Sequence, residues 1–144
     1  AASYRRALAV VEKAVGPDHP LVADRLTDLA LFEHDRRRLE EAGRLYRRSL
    51  AIKEKKQPPN DAELESALNS LALFEESLGK AAEAEGLYRR ALEHAARADG
   101  KESPRLAAVL GLYAHLLRRL ARPAEAASLE ARGRAVAPGD GTPQ

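Results

Sequence analysis

The sequence predicts an all-α fold, an array of antiparallel helix pairs with about seven helices. A Tyr-Arg-Arg-x-Leu pattern begins at Tyr4, Tyr46 and Tyr88, so it recurs every 42 residues. A fixed period of this length is typical of repeat proteins, in which each unit stacks only on its neighbours. No segment alternates between polar and apolar residues for long, so no strand is predicted. The same offset of 42 relates two further sets, which are Leu26, Leu68 and Leu110, and Ala30, Ala72 and Ala114.

Each repeat contains two helical segments joined by a short turn, and short turns make the paired helices antiparallel. The first helix of repeat one runs from about Leu21 to Arg36, and its apolar face is predicted to comprise Val22, Leu26, Leu29 and Ala30. The second runs from about Leu39 to Lys55, with a core face of Ala42, Leu45, Tyr46, Ser49 and Leu50. The pair recurs at Asp61–Leu78 with Ala81–Ala98, and at Ser103–Leu120 with Pro123–Val136.

Helix-breaking residues separate the pairs, at Gly16-Pro17-Asp18-His19-Pro20 and at Pro58-Pro59-Asn60. Before the third pair, Ser103 is a predicted N-cap with Pro104 at the first helical position. The predicted array therefore covers residues 1–136, as a half repeat at 1–15 and repeats at about 20–56, 61–98 and 103–136. Residues 137–144 are rich in Gly and Pro and are predicted to be a disordered tail. Since the chain contains no Met, even at position 1, we expect a fragment of a longer protein.

Composition argues against several classes of protein. Lys and Arg number 24 against 22 Asp and Glu, and a net charge of +2 is too small to indicate nucleic acid or an anionic membrane as partner. No apolar run approaches the roughly 18 residues of a membrane span. Four Tyr, two Phe and no Trp offer little base stacking. The absence of Cys excludes disulfides and fits a reducing compartment, so a cytoplasmic location is expected.

The sequence gives little indication of a catalytic site. His34 precedes Asp35, and a His–Asp pair can orient a base, yet no motif places a nucleophile beside it. The four histidines lack metal-ligand spacing, and no glycine-rich phosphate loop follows a strand. We therefore predict that the chain is not an enzyme and has no cofactor or metal. The Arg-Arg pairs recur every 42 residues and could form a row that binds nucleic acid. Their acidic neighbours favour instead a solvent-exposed helix face with salt bridges.

The repeat resembles a known family. Leu29-Ala30-Leu31-Phe32, Leu39-Glu40-Glu41-Ala42 and Leu45-Tyr46-Arg47-Arg48-Ser49-Leu50 resemble a tetratricopeptide repeat. The period of 42 is similar to that of kinesin light chains and their bacterial relatives. The resemblance implies an α-solenoid that winds as a right-handed superhelix. The chain departs from the family pattern where Glu33 and Glu75 replace an aromatic residue, and where Arg37 and Ala121 replace a turn glycine that is kept at Gly79.

In the resembled fold the first helix of each pair lines a concave groove, and the groove residues are those opposite the core face. The function predicted is a protein–protein interaction module, which binds a peptide or helix of a partner protein along this groove. We expect a ligand that is basic towards repeat one and acidic towards repeat three. The predicted groove residues are Asp24, Thr27, Asp28, Leu31, Asp35, Ser66, Asn69, Ser70, Leu73, Ser77, Ala108, Gly111, Leu112, His115, Arg118 and Arg119.

A second hypothesis stays open, in which the chain is a structural segment of a larger multidomain signalling or regulatory protein, without a peptide ligand. Leu8, Val11 and Val15 recur at helical spacing in an opening segment, about Ser3 to Val15, that matches a second helix without its first. Part of this apolar surface should be exposed, and exposed apolar patches usually mark an interface. The sequence therefore also predicts possible self-association through the N-terminal helix, or further repeats upstream.

Overall fold

A computed structural model describes residues 2–99 and 103–136. Every helix end lies within one residue of its predicted position, and the described residues contain no strand, which confirms the all-α fold. The predicted tail, residues 137–144, lies outside the described residues. The helices are α1 Ala2–Val15, α2 Pro20–Asp35, α3 Leu39–Lys55, α4 Asp61–Ser77, α5 Ala81–Asp99, α6 Pro104–Arg119 and α7 Pro123–Val136.

The chain divides into two compact units, Ala1–Leu71 and Ala72–Gln144, with the boundary inside α4. In the first unit, α1 packs on α2 and α2 packs on α3. In the second unit, α5 packs on α6 and α6 packs on α7. Within the first unit α2–α3 makes more extensive contacts than α1–α2, and within the second unit α6–α7 makes more than α5–α6, as expected for two helices joined by a short turn.

The first helix of each pair begins at a side-chain cap. The Ser103 hydroxyl accepts a hydrogen bond from the Leu106 amide at 3.1 Å, which confirms the predicted cap of α6. The corresponding position before α2 is His19, whose Nδ1 accepts from the Leu21 amide at 3.2 Å. Before α4, Oδ1 of Asn60 accepts from the Glu63 amide at 3.1 Å. Each cap satisfies an amide that the helix itself leaves unpaired.

The turns inside the pairs share one backbone conformation. Arg37, Gly79 and Ala121 are 42 residues apart, and their φ angles are 62°, 76° and 57°. In the first turn, the Arg37 amide donates to the carbonyl of His34 and the Arg38 amide to that of Glu33, both at 2.9 Å. This pattern is the Schellman motif, which needs a left-handed residue after the helix. The other two turns repeat it, so the turn is kept even where glycine is lost.

The predicted core is confirmed in the first unit. Ser49 is buried although polar, because its hydroxyl donates to the Ala23 carbonyl at 2.8 Å and lies 2.9 Å from that of Thr27. A polar residue can thus occupy the α2–α3 contact without leaving an unsatisfied group. All nine residues predicted to form the core faces of repeat one are buried, namely Val22, Leu26, Leu29, Ala30, Ala42, Leu45, Tyr46, Ser49 and Leu50.

The second unit has a core cluster of small and aromatic residues. Ala72 and Ala114, two of the alanines that recur every 42 residues, are fully or almost fully buried in this cluster. Tyr88 is fully buried, and its ring stacks on that of Tyr113 with 6.0 Å between centroids. Small residues on one helix therefore make room for rings on its neighbours.

Candidate partner-binding surface

None of the sixteen predicted groove residues is buried, so their helix faces are open to solvent in both units. Leu31 of α2 is 51% exposed and Leu73 of α4 is 46% exposed. These leucines occupy the same position of successive repeats, and His115 occupies it in α6. An apolar side chain repeated at a solvent-facing position is not explained by the core.

In the first unit, the face of α2 carries three carboxylates. Asp24 lies 3.5 Å from the Lys53 ammonium, and Asp28 accepts from the Arg25 guanidinium at 2.9 Å. Among the hydrogen bonds and ion pairs of residues 2–99 and 103–136, none engages Asp35. Asp35 interacts electrostatically with Tyr46. Burial is the larger cause and the Asp35 carboxylate the smaller cause that together raise the pKa of Tyr46 to about 12.

A pocket of about 350 Å³ opens on this face, lined by Tyr4, Asp28, Leu31, Phe32 and Asp35. Three of the five lining residues were predicted groove residues. Sequence reasoning missed the two aromatic residues, whose rings lie 5.1 Å apart between centroids and are tilted by 40°. The guanidinium carbon of Arg36 lies 5.6 Å from the Phe32 centroid.

Helix α4 presents a polar face around Leu73. The Ser70 hydroxyl donates to the Ser66 carbonyl at 3.0 Å, and the Ser77 hydroxyl donates to the Phe74 carbonyl at 2.6 Å. The Asn69 amide donates to the Glu65 carboxylate. Since these groups bond within their own helix, Leu73 is the most prominent feature that α4 offers to a ligand.

In the second unit, the face of α6 is open where its residues are small. Ala108 is exposed, and a Cβ added to Gly111 would meet no atom within 4 Å. A larger side chain at position 111 would therefore meet no neighbouring atom. Leu112 is half-buried against the core cluster, so it contributes less apolar surface than Leu31 or Leu73.

The two arginines predicted to attract an acidic ligand already have partners in their own unit. Arg118 forms a fork of two hydrogen bonds with Glu130, at 2.8 and 2.7 Å. Arg119 donates to Glu76 at 2.8 Å, and Glu76 also accepts from the buried Tyr88 hydroxyl at 3.0 Å. These contacts reduce the positive charge that α6 presents to a ligand.

A second network in this unit centres on Glu85. Its carboxylate accepts from Arg89 at 2.7 Å, from Arg122 at 2.8 Å and from the Tyr113 hydroxyl at 2.6 Å. The Arg122 hydrogen bond is the largest cause that holds the pKa of Glu85 below its usual range. Arg89, which belongs to one of the repeated Arg-Arg pairs, is therefore engaged in a salt bridge.

Glu33 is fully buried, at a position where the resembled repeat carries an aromatic residue. It accepts from Arg5 of α1 and from Arg38, both at 3.3 Å. Buried carboxylates are tolerated when such partners hold them. The sequence could have indicated this pairing, because a basic residue lies five positions after the glutamate in two repeats. Arg38 follows Glu33 in repeat one, and Lys80 follows Glu75 in repeat two.

Helix α1 has no buried residue, which confirms the predicted exposure of its apolar face. Val10 is 63% exposed and the nearby Leu21 of α2 is 49% exposed. Both line a cleft of about 700 Å³ together with Ala7, Val11 and residues at its rim. The residues of α3 that correspond to Ser3, Ala7, Val10 and Val11, 42 positions later, are all buried.

No group of three or more His, Cys, Asp or Glu side chains in residues 2–99 and 103–136 is arranged to hold a metal ion. Within the same part of the chain, no helix is both long and apolar enough to cross a membrane.

The repeated helix pair, its left-handed turn and its buried alanines define a class of helical repeat protein. A sequence model of the tetratricopeptide repeat matches residues 2–55 and 63–138, and the chain belongs to the tetratricopeptide repeat family. No match was found among curated proteins.

Solved structures agree with this assignment. The chain is similar to BtubC (BKLC) from P. vanneervenii, with 26% identity and a TM-score of 0.82, over 98% of this chain and 56% of that one. It is also similar to a kinesin-light-chain-related protein of Podosopora anserina with nearly identical TPR-like repeats, at 21% identity and a TM-score of 0.73. That match covers 92% of this chain and 63% of that one. The chain therefore shares the fold of these proteins, and it spans less than two thirds of the length of each.

Proposed function

We propose that this chain is a protein–protein interaction module that binds a peptide or helix of a partner protein along the groove face of α2, α4 and α6. The observation that carries the proposal is the pair of half-exposed leucines, Leu31 and Leu73, at one position of successive repeats. Exposed apolar surface marks an interaction site where a partner covers it, and a ligand lying on both leucines would remove their apolar surface from water. Membership of the tetratricopeptide repeat family supports a protein as the partner.

The contacts within each unit refine the expected ligand. Its basic part is expected on α2, where Asp35 is engaged by no hydrogen bond or ion pair of the described residues. An acidic part on α6 would compete with Glu130 for Arg118 and with Glu76 for Arg119. Orientation therefore depends more on the acidic α2 face than on the basic residues of α6, a revision of the polarity expected from the sequence. The proposal includes neither catalysis nor a cofactor.

A peptide-array screen with the whole chain tests the proposal. We expect specific peptides to bind, and the double variant Leu31→Ser with Leu73→Ser to weaken their binding at least tenfold. The matched control is Val10→Ser, which removes a similarly exposed apolar side chain from α1. Absence of any specific peptide, or equal weakening by the control, would contradict the proposal.

A second candidate function is a structural segment that associates with itself through α1, without a peptide ligand. The exposed Val10 and Leu21 in the α1–α2 cleft favour it. Sedimentation velocity over a range of concentrations tests this candidate. A sedimentation coefficient that rises with concentration, and no longer does so in Val10→Ser, is the expected result. A monomer at every concentration would rule self-association out.

A further inference from the structure

We propose that the pocket lined by Tyr4, Asp28, Leu31, Phe32 and Asp35 receives an arginine side chain of the partner protein. The inference rests on the proposed function, since the pocket lies on the groove face of α2. It adds the chemical identity of one contact. All five residues belong to the first unit, so the pocket is formed within one compact part of the chain.

The spacing along α2 places both charge and apolar surface on one stripe. Asp28, Leu31 and Asp35 are three and four residues apart, which brings their side chains to the same helix face. The two carboxylates therefore lie on either side of the half-exposed Leu31. A long side chain can lay its methylene groups on Leu31 while its charged end meets a carboxylate.

Aromatic rings supply the rest of the lining. Tyr4 is 43% exposed, and its ring lies 5.1 Å from that of Phe32 between centroids. Arg36 already places its guanidinium 5.6 Å from the Phe32 centroid. The aromatic part of the pocket is thus chemically suited to a guanidinium, and Arg36 is the group with which an incoming arginine would compete.

The carboxylates are available at small cost. Asp28 pairs with Arg25 three residues earlier, and both side chains are more than 40% exposed. Exposed ion pairs of this kind contribute little to stability, so replacing Arg25 by a ligand at Asp28 costs little free energy. Asp35 has no hydrogen bond or ion pair within the described residues to give up. Arginine fits better than lysine, because its planar group stacks on rings and forms two parallel bonds to a carboxylate.

The repeat itself provides matched substitutions. The positions of Asp28 and Asp35 are occupied in repeat two by Ser70 and Ser77. Asp28→Ser and Asp35→Ser therefore introduce residues that the same helix positions already carry in this fold. Both aspartates lie at the surface and hold no buried group, so the variants should fold normally. Overlay of the amide spectra with that of the unchanged chain verifies this.

The experiment is an NMR titration of the whole chain with N-acetyl-arginine amide. Its neutral counterpart, N-acetyl-citrulline amide, and the lysine analogue serve as comparison probes. We expect the amide signals of Leu31, Phe32 and Asp35 to shift with the arginine probe. Affinity should fall at least fivefold with citrulline and in the double variant Asp28→Ser with Asp35→Ser. It should rise about twofold in Arg36→Ala, which removes the competing guanidinium.

Equal shifts with arginine and citrulline, or an unchanged affinity in the double variant, would overturn the inference. Equal affinity for the lysine probe would overturn the arginine assignment. Should the double variant fold poorly, Asp35→Ser alone replaces it, with the same expected direction. Failure of the proposed function is separable from these results. A probe that binds this pocket while no array peptide binds the chain would contradict the proposed function alone.

Discussion

The three left-handed turn residues allow a test of how this repeat is encoded. Gly79 has a φ of 76°, and a Cβ added there would meet no atom within 4 Å. Gly79→Ala therefore changes only the backbone energetics. A left-handed residue with a Cβ costs about 1–2 kcal/mol. The loss of unfolded-state entropy offsets about 0.4–1 kcal/mol of this. We expect a net destabilisation of about 1 kcal/mol.

The same reasoning predicts the opposite sign at Ala121, whose φ is 57°. Ala121→Gly relieves the strained backbone and should stabilise the chain by about 1 kcal/mol. Gly86 is the matched control, because it is an exposed residue inside α5 with no atom within 4 Å of an added Cβ. Gly86→Ala should stabilise by about 1 kcal/mol, since alanine is the better helix former.

Urea unfolding followed by circular dichroism measures all three variants. The midpoint should fall for Gly79→Ala and rise for both Ala121→Gly and Gly86→Ala. The slope of the transition should not change, because none of the substitutions alters the buried surface. A Gly79→Ala midpoint equal to or above that of the unchanged chain would refute the reasoning. The added methyl group meets no neighbouring atom, so the left-handed backbone conformation is the only predicted cause of destabilisation.

Three further predictions concern the second unit. Ala72 is fully buried in the core cluster, so Ala72→Leu should overpack it and destabilise by about 1–3 kcal/mol, and an unchanged urea midpoint would contradict this. Tyr88→Phe removes the 3.0 Å hydrogen bond from the buried hydroxyl to Glu76 and should cost about 1 kcal/mol in the same assay. Glu85 has a pKa lowered mainly by Arg122, so its stabilisation is present above the unfolded pKa of about 4.3 and is lost as the pH falls through the folded value. Glu85→Gln should therefore weaken the pH dependence of stability below about pH 4, and an acid transition identical to that of the unchanged chain would count against the ion-pair network.

Much of the fold was predictable because three copies of one pattern support each helix assignment, where a single copy would leave it ambiguous. A face such as Val22, Leu26, Leu29 and Ala30 recurs with the period, so three copies support one assignment. Breakers at Gly16-Pro17 and Pro58-Pro59 then fix the helix ends. The left-handed turn was only partly predictable, because Arg37 and Ala121 give no local signal for a positive φ. It becomes visible when both are aligned with Gly79.

The candidate site was less predictable. Helical periodicity identified the solvent-facing positions, and all sixteen residues are exposed or half-exposed. Periodicity could not show which charges were already paired, because Arg118 and Arg119 meet glutamates that are distant in sequence. It also missed Tyr4 as a pocket residue, since a ring on the neighbouring helix α1 leaves no mark on the wheel of α2. Phe32 lies on α2 itself but was not among the positions chosen as opposite the core face.

The most direct test of the central claim is the amide chemical-shift footprint of a peptide taken from the array, measured on the whole chain. The account predicts that the largest changes fall on the exposed faces of α2, α4 and α6, including Leu31 and Leu73. Signals of Val10 and Val11 should remain in place. A footprint confined to the α1–α2 cleft, or spread along the second helices α3, α5 and α7, would contradict the account.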